Sequence, residues 1–136
     1  MRPTTVALYM TPAPLTVRAG ASLQDAHALM RKAHIRHLPV LEGTALVGLV
    51  SQSDLRLLET LKDVEPTEVT VREAMSIAPF TASPRTALSS VCSKMARRRI
   101  GSTVVVSRGK PVGVFTTVDA LKALARLTAP KRKGHP

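Results

Sequence analysis

The sequence predicts an α+β fold of two tandem β-α-β-β-α repeats, packed sheet to sheet about a pseudo-twofold axis. Three observations carry that prediction. The 136-residue chain repeats itself at one constant offset, with identical residues recurring and no gap needed. Apolar residues follow helical spacing in some segments and fill short runs bounded by turn residues in others. One repeat of about 60 residues buries too little surface to stand alone, so the two must share their packing.

The repeat is read from Thr5/Thr70, Val6/Val71, Met10/Met75, Ala13/Ala78, Pro14/Pro79, Thr16/Thr81, Leu23/Leu88, Met30/Met95, Ile35/Ile100, Val40/Val105, Val47/Val112, Gly48/Gly113 and Asp54/Asp119. A fixed period of this size marks two copies of one supersecondary unit. The copies span 5–63 and 70–128 and together form one module. Asp63–Glu68 reads as the linker, and 129–136 as a basic, flexible tail.

Each copy opens on a short helix. Thr70-Val-Arg-Glu73 supplies the hydroxyl and carboxylate of a capping box. Pro12 and Pro14, like Pro79, then keep the chain extended as far as Thr16 or Thr81. Ser22-Leu-Gln-Asp25 starts the next helix, and Leu23, Ala26, Met30 and Ala33 make its apolar stripe. Leu88, Val91 and Met95 repeat that stripe. Two strands follow, at 36–42 and 45–51, turned by Glu42-Gly43-Thr44. Their counterparts are 102–107 and 111–116, turned by Arg108-Gly109-Lys110. A last helix carries Leu55, Leu58 and Leu61, or Leu121, Leu124 and Leu127 in the second copy.

Composition narrows the function. Lys+Arg 20 against Asp+Glu 9 leaves a net charge of +11, which favours anionic partners: nucleotides, nucleic acid or acidic lipid. The only aromatics are Tyr9, Phe80 and Phe115, too few to stack a single strand base by base. A single cysteine, Cys92, excludes an intramolecular disulfide and a thiolate zinc cage. His27, His34, His37 and His135 match no metal-ligand spacing, so no metal is expected. Nucleophile elbow, Walker loop and dinucleotide fingerprint are all missing, which argues against an enzyme. No apolar run has the length of a membrane span, and no signal-peptide pattern is visible, so the expectation is a cytoplasmic protein away from membranes.

The ordered combination Met10-Thr11…Thr16-Val17, Ile35-Arg-His-Leu-Pro-Val40 and Gly48-Leu-Val-Ser-Gln-Ser-Asp-Leu55, echoed one period later, resembles a tandem pair of CBS (cystathionine beta-synthase) domains. The resemblance runs from Thr5 to Leu127. It implies β-α-β-β-α units in pairs, clefts between the repeats, and adenosyl ligands such as AMP, ADP, ATP or S-adenosylmethionine. It also implies a sensor that regulates a partner protein, requires no cofactor, and commonly pairs with a second copy through its helices.

Ser51 with Asp54, and Thr116 with Asp119, place a hydroxyl and a carboxylate three residues apart where a strand enters a helix. A carboxylate accepts hydrogen bonds from both ribose hydroxyls, and the helix start attracts phosphate. By the resemblance Asp54 and Asp119 hold ribose, and Ser51 and Thr116 contact phosphate. Both pairs are also ordinary helix caps, and the two roles are compatible. The resemblance further places adenine against Thr16 and Val17 and against Phe80 and Thr81, with Leu38 and Pro39 closing the first cleft. Plain core packing is the competing reading there. Arg36 and His37 are the phosphate-reading candidates; Gly101 and Ser102 replace them in the second copy, which makes the first cleft the better equipped. The resulting expectation is a stand-alone, homodimeric regulatory module for an adenine nucleotide. The rivals are a basic nucleic-acid binder and a ligand-free dimerisation scaffold.

Overall fold

The computed structural model describes residues 4–13, 15–62, 65–77 and 79–130. The expectations placed on Pro14, Asp63, Ala78 and the end of the tail lie outside these residues.

The expected elements form twice. In the first copy a 3₁₀ turn, Val6–Leu8, leads to β1 (Thr11–Pro12), β2 (Val17–Arg18), α1 (Leu23–Ala33), β3 (His37–Glu42), β4 (Ala45–Ser51) and α2 (Gln52–Lys62). The second copy contributes α3 (Val71–Ala74), β5 (Ser76–Ile77), β6 (Thr81–Ala82), α4 (Leu88–Arg98), β7 (Ser102–Ser107), β8 (Lys110–Thr116) and α5 (Thr117–Thr128). Local chemistry accounts for the boundaries. Ser22 with Asp25, and Thr70 with Glu73, close capping boxes. His34 and Arg99 end α1 and α4 in the left-handed region, each with φ of 54°. Arg108 and Gly109 both take positive φ, as a two-residue hairpin turn requires.

The two four-stranded sheets run β2-β3-β4-β5 and β1-β8-β7-β6. Each therefore ends on a strand lent by the other copy: β5 pairs with β4, and β1 pairs with β8. The lead-in helices exchange as well. Val6 is fully buried among Leu88, Val91 and Phe115, while Val71 is buried among Leu23, Ala26 and Leu55. Backbone bonds fix the exchange: Leu88 N donates to Thr4 O at 2.8 Å, and Val71 N donates to Ala21 O at 2.8 Å.

Each half keeps its own core under its helices, and a third cluster of Leu49, Val104 and Val114 joins the sheets. On α5 the inward face is made by alanines. Ala123 is buried and Ala120 packs beside it on the second core, whereas Leu121, Leu124 and Leu127 are each more than half exposed. Small residues bring α5 close to Phe115, and that leaves the leucines outside.

Candidate functional site

The site is built where β4 runs into α2 and where β8 runs into α5. Ser51 N donates to Asp54 Oδ2 at 2.8 Å, and Asp54 N donates back to Ser51 Oγ at 3.0 Å. Thr116 N donates to Asp119 Oδ2 at 2.9 Å, and Asp119 N donates to Thr116 Oγ1 at 3.3 Å. Both acids are therefore helix caps, each holding negative charge at a helix start.

Strand pairing sets which way the remaining residues face. Pro39 pairs with Leu49, and Leu49 packs on Val104 and Val114 of the other sheet. His37 pairs with Ser51 two residues along, so both share that inter-sheet face. By the same register Ser102 and Thr116 share the facing surface of the second sheet. His37, Ser51, Ser102 and Thr116 thus line the layer between the repeats, with Asp54 and Asp119 just beyond the strand ends.

The His37 imidazole is held below the usual histidine pKa. Burial is the main cause and Arg36 adds to it; the carboxylates of Asp54 and Asp119 oppose it. The charges of both junctions thus act on this one imidazole. Arg36 beside it is exposed.

The two acids differ. Asp54 is half-buried, whereas Asp119 is only 5% exposed. Asp119 Oδ2 takes the Thr116 amide and, at 3.1 Å, the Thr116 hydroxyl, and Oδ1 accepts from Thr11 Oγ1 at 3.0 Å. Thr11 arrives on the exchanged strand β1. Sequence reasoning missed it, although Met10-Thr11 and Met75-Ser76 recur at the repeat offset.

Other expected residues lie elsewhere. Leu38 and Val17 are buried in the first core, so their side chains are committed to packing, and strand alternation turns Leu38 to the helices, which favours the competing core reading for it. Pro39 is buried on the inter-sheet face. Phe80 packs against the second core with Lys94 Nζ 4.2 Å from its ring centre, and Thr81 is exposed on β6. Thr16 lines an open depression of about 660 Å³ with Arg18, Asp25, Glu42 and Arg72. The described residues contain no cluster of three or more His, Cys, Asp or Glu able to hold a metal ion, and no helix long and apolar enough to cross a membrane.

Paired sheets, exchanged lead-in strands and two helix-capping acids related by a pseudo-twofold define a tandem-repeat α+β fold. The chain belongs to the CBS domain family, whose domain matches residues 6–59 and 71–126. It is 32% identical to the inosine-5'-monophosphate dehydrogenase of Korarchaeum cryptofilum over 106 residues, 77% of this chain but 21% of that enzyme. The chain thus spans about a fifth of that relative. It is 26% identical to the CBS domain-containing protein YhcV of Bacillus subtilis, covering 81% of this chain and 78% of that protein. The crystal structure of CBSX2 in complex with AMP superimposes with a TM-score of 0.72 at 26% identity, covering 91% of this chain and 98% of that one.

Proposed function

We propose that this chain is a regulatory module that binds an adenine nucleotide between its repeats and transmits occupancy to a partner protein. The observation that carries the reading is the pair of hydroxyl–carboxylate boxes, Ser51 with Asp54 and Thr116 with Asp119, at the rim of one inter-sheet layer that His37 also enters. AMP on the similar protein CBSX2 supports the ligand class. In this reading Asp54 and Asp119 hold ribose, Ser51 and Thr116 approach phosphate, Arg36 adds positive charge for it, and His37 offers it a ring N–H. Adenine lies against Thr16, Val17, Phe80 and Thr81 chiefly through their backbone, with Pro39 behind. The module performs no chemistry of its own and needs no cofactor.

A second copy of the chain is the proposed partner of the exposed leucines. Leu57 and Leu61 on α2, with Val118, Leu121, Leu124 and Leu127 on α5, are all more than half exposed. Apolar stripes of this extent favour burial in an interface. Binding would shift the population of cleft and interface geometries together. Cytoplasmic location fits such a sensor.

Exposed Arg97, Arg98 and Arg99 at the end of α4 favour a second reading, sequence-indifferent binding of nucleic acid. Salt separates the two, because phosphate-backbone binding falls steeply as salt rises.

The test is a melting series with AMP, ADP, ATP, S-adenosylmethionine and GTP at millimolar concentration. A ligand of the native state raises the melting temperature by mass action. The adenosyl compounds are expected to do so and GTP is not. No shift with any adenosyl compound leaves the scaffold reading in front, and tight duplex binding at physiological salt favours nucleic acid.

A further inference from the structure

We propose that Thr11 is a latch that closes the Asp119 half of the site and makes Asp54 the first ribose acceptor. The inference rests on the nucleotide reading and refines it. A ribose hydroxyl needs a free carboxylate lone pair within reach. Asp119 offers little, because it is 5% exposed and both oxygens already accept bonds from Thr11 and Thr116. Asp54 is half-buried, and one of its oxygens holds the Ser51 amide. Ser76 stands where the repeat would put a second latch. It is exposed, and among the described residues no hydrogen bond joins it to Asp54.

The latch sits on a short edge strand. Strand β1 is two residues long, both exposed, at the edge of its sheet. It is held by the Thr11–Val114 and Pro12–Gly113 pairing, and by Ala13 N donating to Val112 O at 3.1 Å. The fully buried Val6 anchors the segment upstream. A nucleotide reaching Asp119 must therefore displace the Thr11 hydroxyl and loosen the exchanged strand, whereas one reaching Asp54 displaces no such contact. The two sites fill in order, and the second event reports on the lead-in segment that ties the copies together.

Calorimetry with AMP on the full chain tests this with Thr11→Val, which keeps shape and branching but removes the donor. Wild type is expected to show one strong event per chain. Thr11→Val is expected to show a second event of about tenfold higher affinity than the wild-type weak site, the scale of one bond to a charged acceptor. Adding Asp119→Asn should abolish the gained event. Thr11→Ser should behave as wild type, and Ser76→Val should change neither event. AMP binding to wild type with no gain, or a loss, in Thr11→Val overturns the latch and makes the hydroxyl inert or a ligand contact. Absence of AMP binding by every variant overturns the nucleotide reading itself. Hydrogen exchange without ligand gives an independent readout: Thr11→Val should speed exchange at Met10 and Ala13, and unchanged exchange there also overturns the latch.

Discussion

Met10 packs across the bare face of Gly113, and one repeat later Met75 packs across Gly48. Each methionine belongs to a lead-in segment exchanged to the other copy, and each glycine lies on a strand of the sheet that receives it. A side chain at either glycine would occupy the methionine's place. The glycines are therefore conditions for the exchange, and not merely for strand geometry.

Alanine at these positions should destabilise unequally. At Gly113 the obstacle is the flexible Met10 side chain, whereas at Gly48 a Cβ would also stand 2.7 Å from the Ser76 carbonyl oxygen. Urea unfolding should place Gly113→Ala near the lower end and Gly48→Ala near the upper end of about 1–3 kcal/mol. Equal, negligible losses would mean that the lead-in segments are not held against these strands.

The acids also differ in what they leave behind. Asp54→Ala removes an ordinary cap and should cost about 1 kcal/mol. Asp119→Ala removes a buried acceptor that serves the Thr116 amide and hydroxyl and the exposed Thr11 hydroxyl, and should cost about 2–3 kcal/mol. Denaturant midpoints of the two variants decide the order.

Acid should weaken the fold through His37. Its folded-state pKa lies below the ordinary 6.5, so on acidification the unfolded chain takes up the proton first. The contribution is complete above that value and is lost as the pH falls below it. Subtracting the stability–pH curve of His37→Gln from that of wild type, over pH 5 to 8, should isolate this slope. Superimposable curves would show that burial of the imidazole carries no such linkage.

Thr103 is fully buried, and among the described residues its hydroxyl has no hydrogen-bond partner. Its register position pairs with Phe115, on the helix-facing side of β7. Valine has the same shape without the polar group, so Thr103→Val should stabilise by about 1 kcal/mol. A loss of stability in thermal unfolding would mean that the hydroxyl is satisfied in solution.

The elements were legible in the sequence because their signals are local. The boxes at Ser22 and Thr70, the stripe Leu23-Ala26-Met30 and the turn at Gly109 each depend on residues a few positions apart. The exchange of β1 and β5 was not legible, since the repeat reveals two like units without saying which one receives which strand. The face taken by Leu38 was not legible for a related reason: in an apolar run such as Leu38-Pro-Val-Leu41, alternation alone cannot tell the inner face from the inter-sheet face. On α5, alanines and leucines share the same spacing, and only the close approach to Phe115 decides which of them face inward. The acids at positions 54 and 119 were visible, but their inequality was not, because it comes from Thr11, 108 residues away from Asp119.

Titration of AMP into the purified full chain, alongside Asp54→Ala, bears most directly on the proposed nucleotide-sensing role. The wild type should bind saturably, and Asp54→Ala should lose about 1–3 kcal/mol of affinity, the scale of hydrogen bonds to a charged acceptor. Saturable AMP binding that Asp54→Ala leaves unchanged, or no binding heat with AMP at millimolar concentration, would contradict the assignment.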